Sequence, residues 1–185
     1  MADIPGVRFE LRYASLNNFA GRVLYPDFDC AWLRREAALG LEQAARWLSQ
    51  QRPGHQILIL DALRPQRVQQ AIWHEVVGTP DQLYFANPEV GSIHSFGMAV
   101  DVTLVDATGR ECDMGSAFDE MSDVSHPAKH PEHLATGVLL SRHVTEREWL
   151  KRAMEQGGFR GISTEWWHFD HGDRDHVRRA FPRVE

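Results

Sequence analysis

The chain has 185 residues, 43% of them apolar and 25% charged, with a formal net charge of −6. That is enough for one domain with a real core. The negative balance, without a basic stripe interleaved with aromatic residues, speaks against nucleic acid as the main partner. The longest clean apolar run is "ILIL" at 57–60, far short of the about 20 residues a membrane-spanning helix needs.

No basic head followed by an apolar segment opens the chain, so it reads as cytoplasmic. The two cysteines, Cys30 and Cys112, form no CxxC pair and suit a reducing compartment. The first firm helix is expected over 31–51, where Trp32, Leu33, Ala37, Leu41, Ala44, Ala45 and Leu48 recur near i, i+3/i+4 spacing. "RPG" at 52–54 ends it. "HQILILDA" at 55–62 reads as a buried strand, and Pro65 suits the first turn of a helix through "QRVQQAIWHEVV". A long loop covers 78–92. A strand containing Asp101 follows, and "DATG" at 106–109 makes a hairpin turn. Residues 113–137 read as irregular. A second firm helix is expected over about 139–156, ending at Gly157-Gly158, and "STEWWHFDHGD" at 163–173 as a final strand and turn. Helices and strands do not alternate regularly, which favours a single α+β domain over 1–185 with a mostly antiparallel sheet flanked by helices.

The stretch "GSIHSFGMAVDVTL" at 91–104 poses the chemical question. Val100, Val102 and Leu104 alternate as a strand, yet Asp101 interrupts them, and an unpaired buried carboxylate costs several kcal/mol. His94 lies in the glycine-flanked loop before it. In "TEWWHFD" at 164–170, Glu165 and His168 stand three apart. In a regular strand they would face opposite ways, unless Glu165 lies at the strand entrance or on a bulge. His94, Asp101 and His168 together supply two imidazoles and one carboxylate, the donor types of a catalytic zinc site with one open position. A metal there would compensate Asp101 and acidify a bound water, and Glu165 could take that water's proton.

Other histidines are weaker candidates. His126, His130 and His133 in "SHPAKHPEH" are close in sequence, but Pro127 and Pro131 break any helix that would align them, so this segment reads as a solvated loop. His171 and His176 read as surface residues, and His55, His74 and His143 have no evident partner. Arg64, in "LDALRPQ", follows the buried strand directly and can stabilise negative charge on a substrate oxygen.

These residues carry a resemblance. "SIHSFGMAVDVTL" resembles the SxHxxGxAxD motif of the zinc D-alanyl-D-alanine metallopeptidases, and "EWWHF" resembles their ExxH motif. Within that family the chain is similar to the D-Ala-D-Ala dipeptidases of the vancomycin-resistance type. "LRYASLNNFAGRVLY" at 11–25, "DALRPQ", "DMGSAFDEM" at 113–121 and "GGFRGISTEWWHF" each resemble a segment of that group, in order along nearly the whole chain. The resemblance implies the fold of the D,D-carboxypeptidases and hedgehog signalling domains. It implies one zinc on His94, Asp101 and His168, Glu165 as catalytic base, Arg64 beside the tetrahedral intermediate, and Asp119, Ser92 and Tyr13 lining the substrate pocket. Asp119 would hold the substrate's ammonium. Leu63 and Phe96 depart from the group's usual residues.

The expected activity is hydrolysis of a small-molecule dipeptide, free D-Ala-D-Ala, with no nucleic-acid or membrane partner. The alternatives are a D,D-carboxypeptidase or endopeptidase acting on longer peptidoglycan peptides, and a zinc-stabilised binding domain without activity. Export and an open cleft would favour the second; Glu165 counts against the third.

Overall fold

The structure is a computed structural model and describes residues 4–25 and 29–185. Five strands form one mixed sheet: β1 (Val7–Phe9), β2 (Gln56–Asp61), β3 (Ala99–Val105), β4 (Phe159–Gly161) and β5 (His168–His171). Their spatial order is β1-β2-β3-β5-β4. β1 pairs parallel with β2, and every other pairing is antiparallel. Helices are α1 (Arg35–Gln51), α2 (Gln66–Val76), α3 (His130–Thr136), α4 (Ser141–Gln156) and α5 (Arg174–Ala180). The architecture is α+β with a mostly antiparallel sheet, as the irregular alternation of elements predicts.

α1 places Ala37, Leu41, Ala44, Ala45 and Leu48 on one stripe, all essentially inaccessible. They share a core with Val100, Val102 and Leu104 of β3 and with Leu150, Ala153 and Met154 of α4. Each large side chain so buried stabilises the fold by about 1.5–3 kcal/mol. Gly40 faces Gly157, and a Cβ on either would collide with the other's carbonyl oxygen. The helix-propensity cost of Gly40, about 1 kcal/mol, is offset by this close approach. A second cluster joins Tyr13 and Tyr25 of the N-terminal segment to Val68, Ile72 and Val76 of α2.

Several boundaries differ from the sequence expectation. α1 starts at Arg35, not 31, because tertiary bonds hold Arg34 extended. Its N–H donates to Gly97 O (2.8 Å), and its guanidinium donates to Phe96 O and Pro182 O. β5 begins only at His168, leaving 163–167 irregular, and the short edge strands β1 and β4 had no periodicity to announce them. Part of the long loop 78–92 winds into a 3-10 turn, Pro80–Tyr84. In 113–137, α3 forms despite Pro131, which occupies the first helical turn where no backbone N–H is needed.

Candidate active site

Register builds the site. Asp61 of β2 pairs with Asp101 of β3, after a bulge between Ile59 and Asp61, and Asp101 pairs with His168 of β5. Directly opposed residues share a face, so the three form a row across the sheet, on the side of β3 opposite its core-facing valines. His94 reaches the row from a 3-10 turn, Ile93–Phe96, which Gly97 closes in the left-handed region at φ 66°. Backbone bonds from Arg64 N–H to His94 O (3.3 Å) and from Val184 N–H to Ser95 O (2.8 Å) brace that turn.

His94, Asp101 and His168 converge: Nε2 of His94 lies 3.1 Å from Nδ1 of His168, and Asp101 Oδ1 lies 3.4 and 3.0 Å from those nitrogens. The outer bonds set the tautomers. Nδ1–H of His94 donates to Ala62 O (2.7 Å), and Nε2–H of His168 donates to Asp170 Oδ1 (2.9 Å). In the neutral rings both inner nitrogens therefore present lone pairs, and Asp101 presents a third acceptor. Three acceptors so close call for a cation. Tetrahedral zinc with bonds of about 2.0–2.1 Å would separate its ligand atoms by about 3.3 Å, which matches the observed spacing. Both histidines are also oriented by an acceptor behind the ring, as metal-bound imidazoles generally are. Among the described residues this is the one group of at least three His, Cys, Asp or Glu side chains disposed to hold a metal ion.

Asp101 is buried, which opposes ionisation, but His94 and His168 hold its carboxyl well below the usual range. Its other oxygen, Oδ2, accepts from Arg64 NH2 (3.3 Å). Arg64 is itself buried. It donates through Nε and NH2 to Asp61 Oδ2 (3.0 and 2.8 Å) and through NH1 to Gln69 Oε1 (3.2 Å), and it lies 4.9 Å from the Tyr13 ring. Asp61 also accepts from the Tyr25 hydroxyl at 2.6 Å. Asp61 was not read as a site residue; its place at the end of "ILIL", three residues before Arg64, was the available signal.

Glu165 precedes β5 in the irregular segment, which resolves how it and His168 reach one site. It is 8% exposed and faces the same cavity. Burial lifts its carboxyl to about 7, with Asp101 adding to the rise and His168 and Arg64 opposing it, a poise suited to a general base near neutral pH. Asp119 lines the cavity as well, half-buried at φ 60°. Among the described residues it is the only non-glycine with positive φ. Its carboxylate accepts from Phe19 N–H (3.2 Å) and the Tyr13 hydroxyl (3.4 Å), and burial, together with Asp101 and Glu165, raises its pKa. Ser92 lines the cavity too, and its hydroxyl does not cap the turn it precedes. The cavity holds about 280 Å³, the lower end for small-molecule pockets of about 300–1,000 Å³. Phe96 packs in the main core, and neither it nor Leu63 lines the cavity.

The histidines of 126–133 do not converge. His126 Nε2 bonds the Tyr84 hydroxyl (2.9 Å), His133 Nε2 bonds Asp123 O (3.1 Å), and His130 Nε2 meets Arg147 NH1 (3.0 Å). His130 and His133 are buried rather than solvated, because α3 docks them inward. His171 is half-buried against Phe159, and His143 bonds Asp113 Oδ2 at 3.1 Å, so both have partners the sequence did not reveal.

A His/Asp/His cluster held by two strands and a turn, beside a buried glutamate in a polar cavity, is the arrangement of a metallohydrolase. Comparison narrows the class. The family model described as D-Ala-D-Ala dipeptidase matches residues 2–185, and the chain belongs to that metallopeptidase family. It is 39% identical over 166 residues to the D-alanyl-D-alanine dipeptidase of Escherichia coli strain K12, covering 90% of this chain and 79% of that one. The D-alanyl-D-alanine dipeptidase of Synechocystis is 33% identical, covering 77% and 70%. That of Enterococcus faecium is 30% identical, covering 90% and 86%. No helix among the described residues is long and apolar enough to cross a membrane.

Proposed function

We propose that this protein hydrolyses the free dipeptide D-alanyl-D-alanine to two D-alanines, with one Zn²⁺ held by His94, Asp101 and His168. The observation that carries the reading is the convergence of those three acceptors in a small cavity that Glu165 and Asp119 also face. When bound, the zinc would supply Lewis-acid activation of the attacking water and of the scissile carbonyl. Glu165 takes the water's proton and delivers it to the leaving amine. Arg64, held rigid by Asp61 and Gln69, donates to the developing oxyanion without reorganising. Asp119 holds the substrate's ammonium, and Tyr13 and Ser92 complete the pocket. Asp101, Asp119 and Glu165 line the cavity, and the raised pKa values of Asp119 and Glu165 mark buried carboxylates that a dication and an ammonium would stabilise in the charged form. This supports a substrate with a free amino group over a peptide continuing beyond it. The chain is one catalytic unit over 1–185 and shares its fold with D,D-carboxypeptidases and hedgehog signalling domains. It acts in the cytoplasm, where the free dipeptide is a metabolite.

The test is D-alanine release from free D-Ala-D-Ala, compared with an N-acylated tripeptide ending in D-Ala-D-Ala, by zinc-loaded protein. Cleavage of the free dipeptide, abolished by a chelator, is expected. Preferential cleavage of the acylated peptide would replace this reading with the carboxypeptidase one.

A further inference from the structure

Arg147 lies on the buried stripe of α4, 3% exposed, and no carboxylate lies within 4.0 Å of it among the described residues. Burying a guanidinium costs several kcal/mol unless its protons find partners. Here they do. Nε donates to Met114 O (2.7 Å), NH1 to Val124 O (2.9 Å) and His130 Nε2 (3.0 Å), and NH2 to Ser116 Oγ (3.0 Å). Burial lowers its pKa to about 10, so it stays charged at neutral pH. The two carbonyls close the ends of one loop, and Asp119 sits midway between them, in its left-handed conformation. Ser116 Oγ also accepts from Trp166 Nε1 (2.9 Å), and Trp166 follows Glu165 directly. Ser125 continues the network, pairing with Ser116 Oγ and donating to Glu120 O (2.8 Å).

We propose that Arg147 is a positioning residue for substrate selection: it clamps the 114–124 loop and, through Ser116 and Trp166, references Asp119 to the segment that carries Glu165. The inference rests on the reading of Asp119 as the ammonium anchor. A core position alone would be filled as well by an apolar side chain. Only a planar fork with several fixed donors can hold two carbonyls and a hydroxyl at once. Lysine, a point charge with three donors, cannot.

The experiment compares wild type with Arg147→Lys and Ser116→Ala. Each is assayed for zinc content, for kcat and KM on free D-Ala-D-Ala, and for the rate ratio of free to N-acetylated dipeptide. For Arg147→Lys, KM is expected to rise about tenfold, the consequence of losing one charge-assisted contact. kcat should stay within about threefold, zinc stoichiometry unchanged, and the preference for the free amine should fall with the KM effect. Ser116→Ala, which leaves Arg147's bonds to both carbonyls in place, should move the same ratio by a smaller factor. A merely structural role would lower Tm and the active fraction while leaving KM and the ratio alone, and that result in both variants overturns the proposal. If wild type itself does not favour the free dipeptide, the reading of Asp119 fails first, and this inference with it.

Discussion

Asp170 offers the sharpest test of the metal site, because it bonds His168 from behind the ring, on the nitrogen that faces away from Asp101. It is 4% exposed and accepts from His168 Nε2–H at 2.9 Å and from Arg174 Nε at 2.5 Å. Burial alone would raise its pKa, yet His168 and Arg174 hold its carboxyl at about 2. Relative to an ordinary aspartate near 3.8, that is roughly 2 kcal/mol of net preference for the charged form. Asp170→Asn keeps an acceptor toward Nε2 but removes the charge, so zinc affinity should fall about tenfold. Asp170→Ala also frees the ring to change tautomer, which turns Nδ1 into a donor, and should cost about 100-fold; losses of about 10–100-fold are typical when an orienting partner is removed. Affinity is measured by competition with a chromogenic chelator at neutral pH, where the carboxyl is ionised throughout. An unchanged affinity in the alanine variant would refute the assignment of His168 Nδ1 as the inward-facing atom.

Glu165→Gln should bind zinc normally and lose about 10²–10⁴ in kcat, and near-wild-type turnover would remove it as the base. In the wild type, kcat/KM should fall as pH drops and Glu165 takes up a proton. The midpoint should lie at or below 7, since a cation at the three-ligand site favours the ionised form, and a flat profile across that window would contradict the role. Arg64→Ala should lower kcat by more than it raises KM if its contact forms mainly in the transition state; the reverse pattern would make it a ground-state binder. Gly40→Ala drives a Cβ into the Gly157 carbonyl and should destabilise the fold by about 1–3 kcal/mol. That corresponds to roughly 3–10 °C in Tm for a chain of this size, measured on the zinc-loaded protein.

The sequence by itself singled out the three side chains, His94, Asp101 and His168, that the fold brings together. Asp101 was conspicuous because a carboxylate inside an alternating apolar strand needs compensation, and the flanking glycines marked His94 as a turn residue able to leave the strand's axis. The α+β class and the buried strands were legible for the same reason: apolar periodicity records burial locally. What surrounds the three acceptors was not local. Asp61 stands beside Asp101 only because β2 and β3 pair in one register, across a bulge no propensity signals. Asp170 could have been read from strand alternation, since His168 and Asp170 are two apart on one face, but its bond to Nε2 required the ring's orientation. Glu165 reaches the cavity because β5 starts late, an outcome of how Asp101 pairs with His168 rather than of the residues in "TEWWH". His130 and His133 read as part of a solvated loop in sequence, and nothing there singled out Arg147. They are buried because α3 and α4 close over the loop that carries Asp119, and satisfying that loop's carbonyls needs partners from distant parts of the chain. Tertiary structure decided these matters because hydrogen-bond satisfaction in a low-dielectric interior depends on the whole set of neighbours, and a sequence shows only those next along the chain.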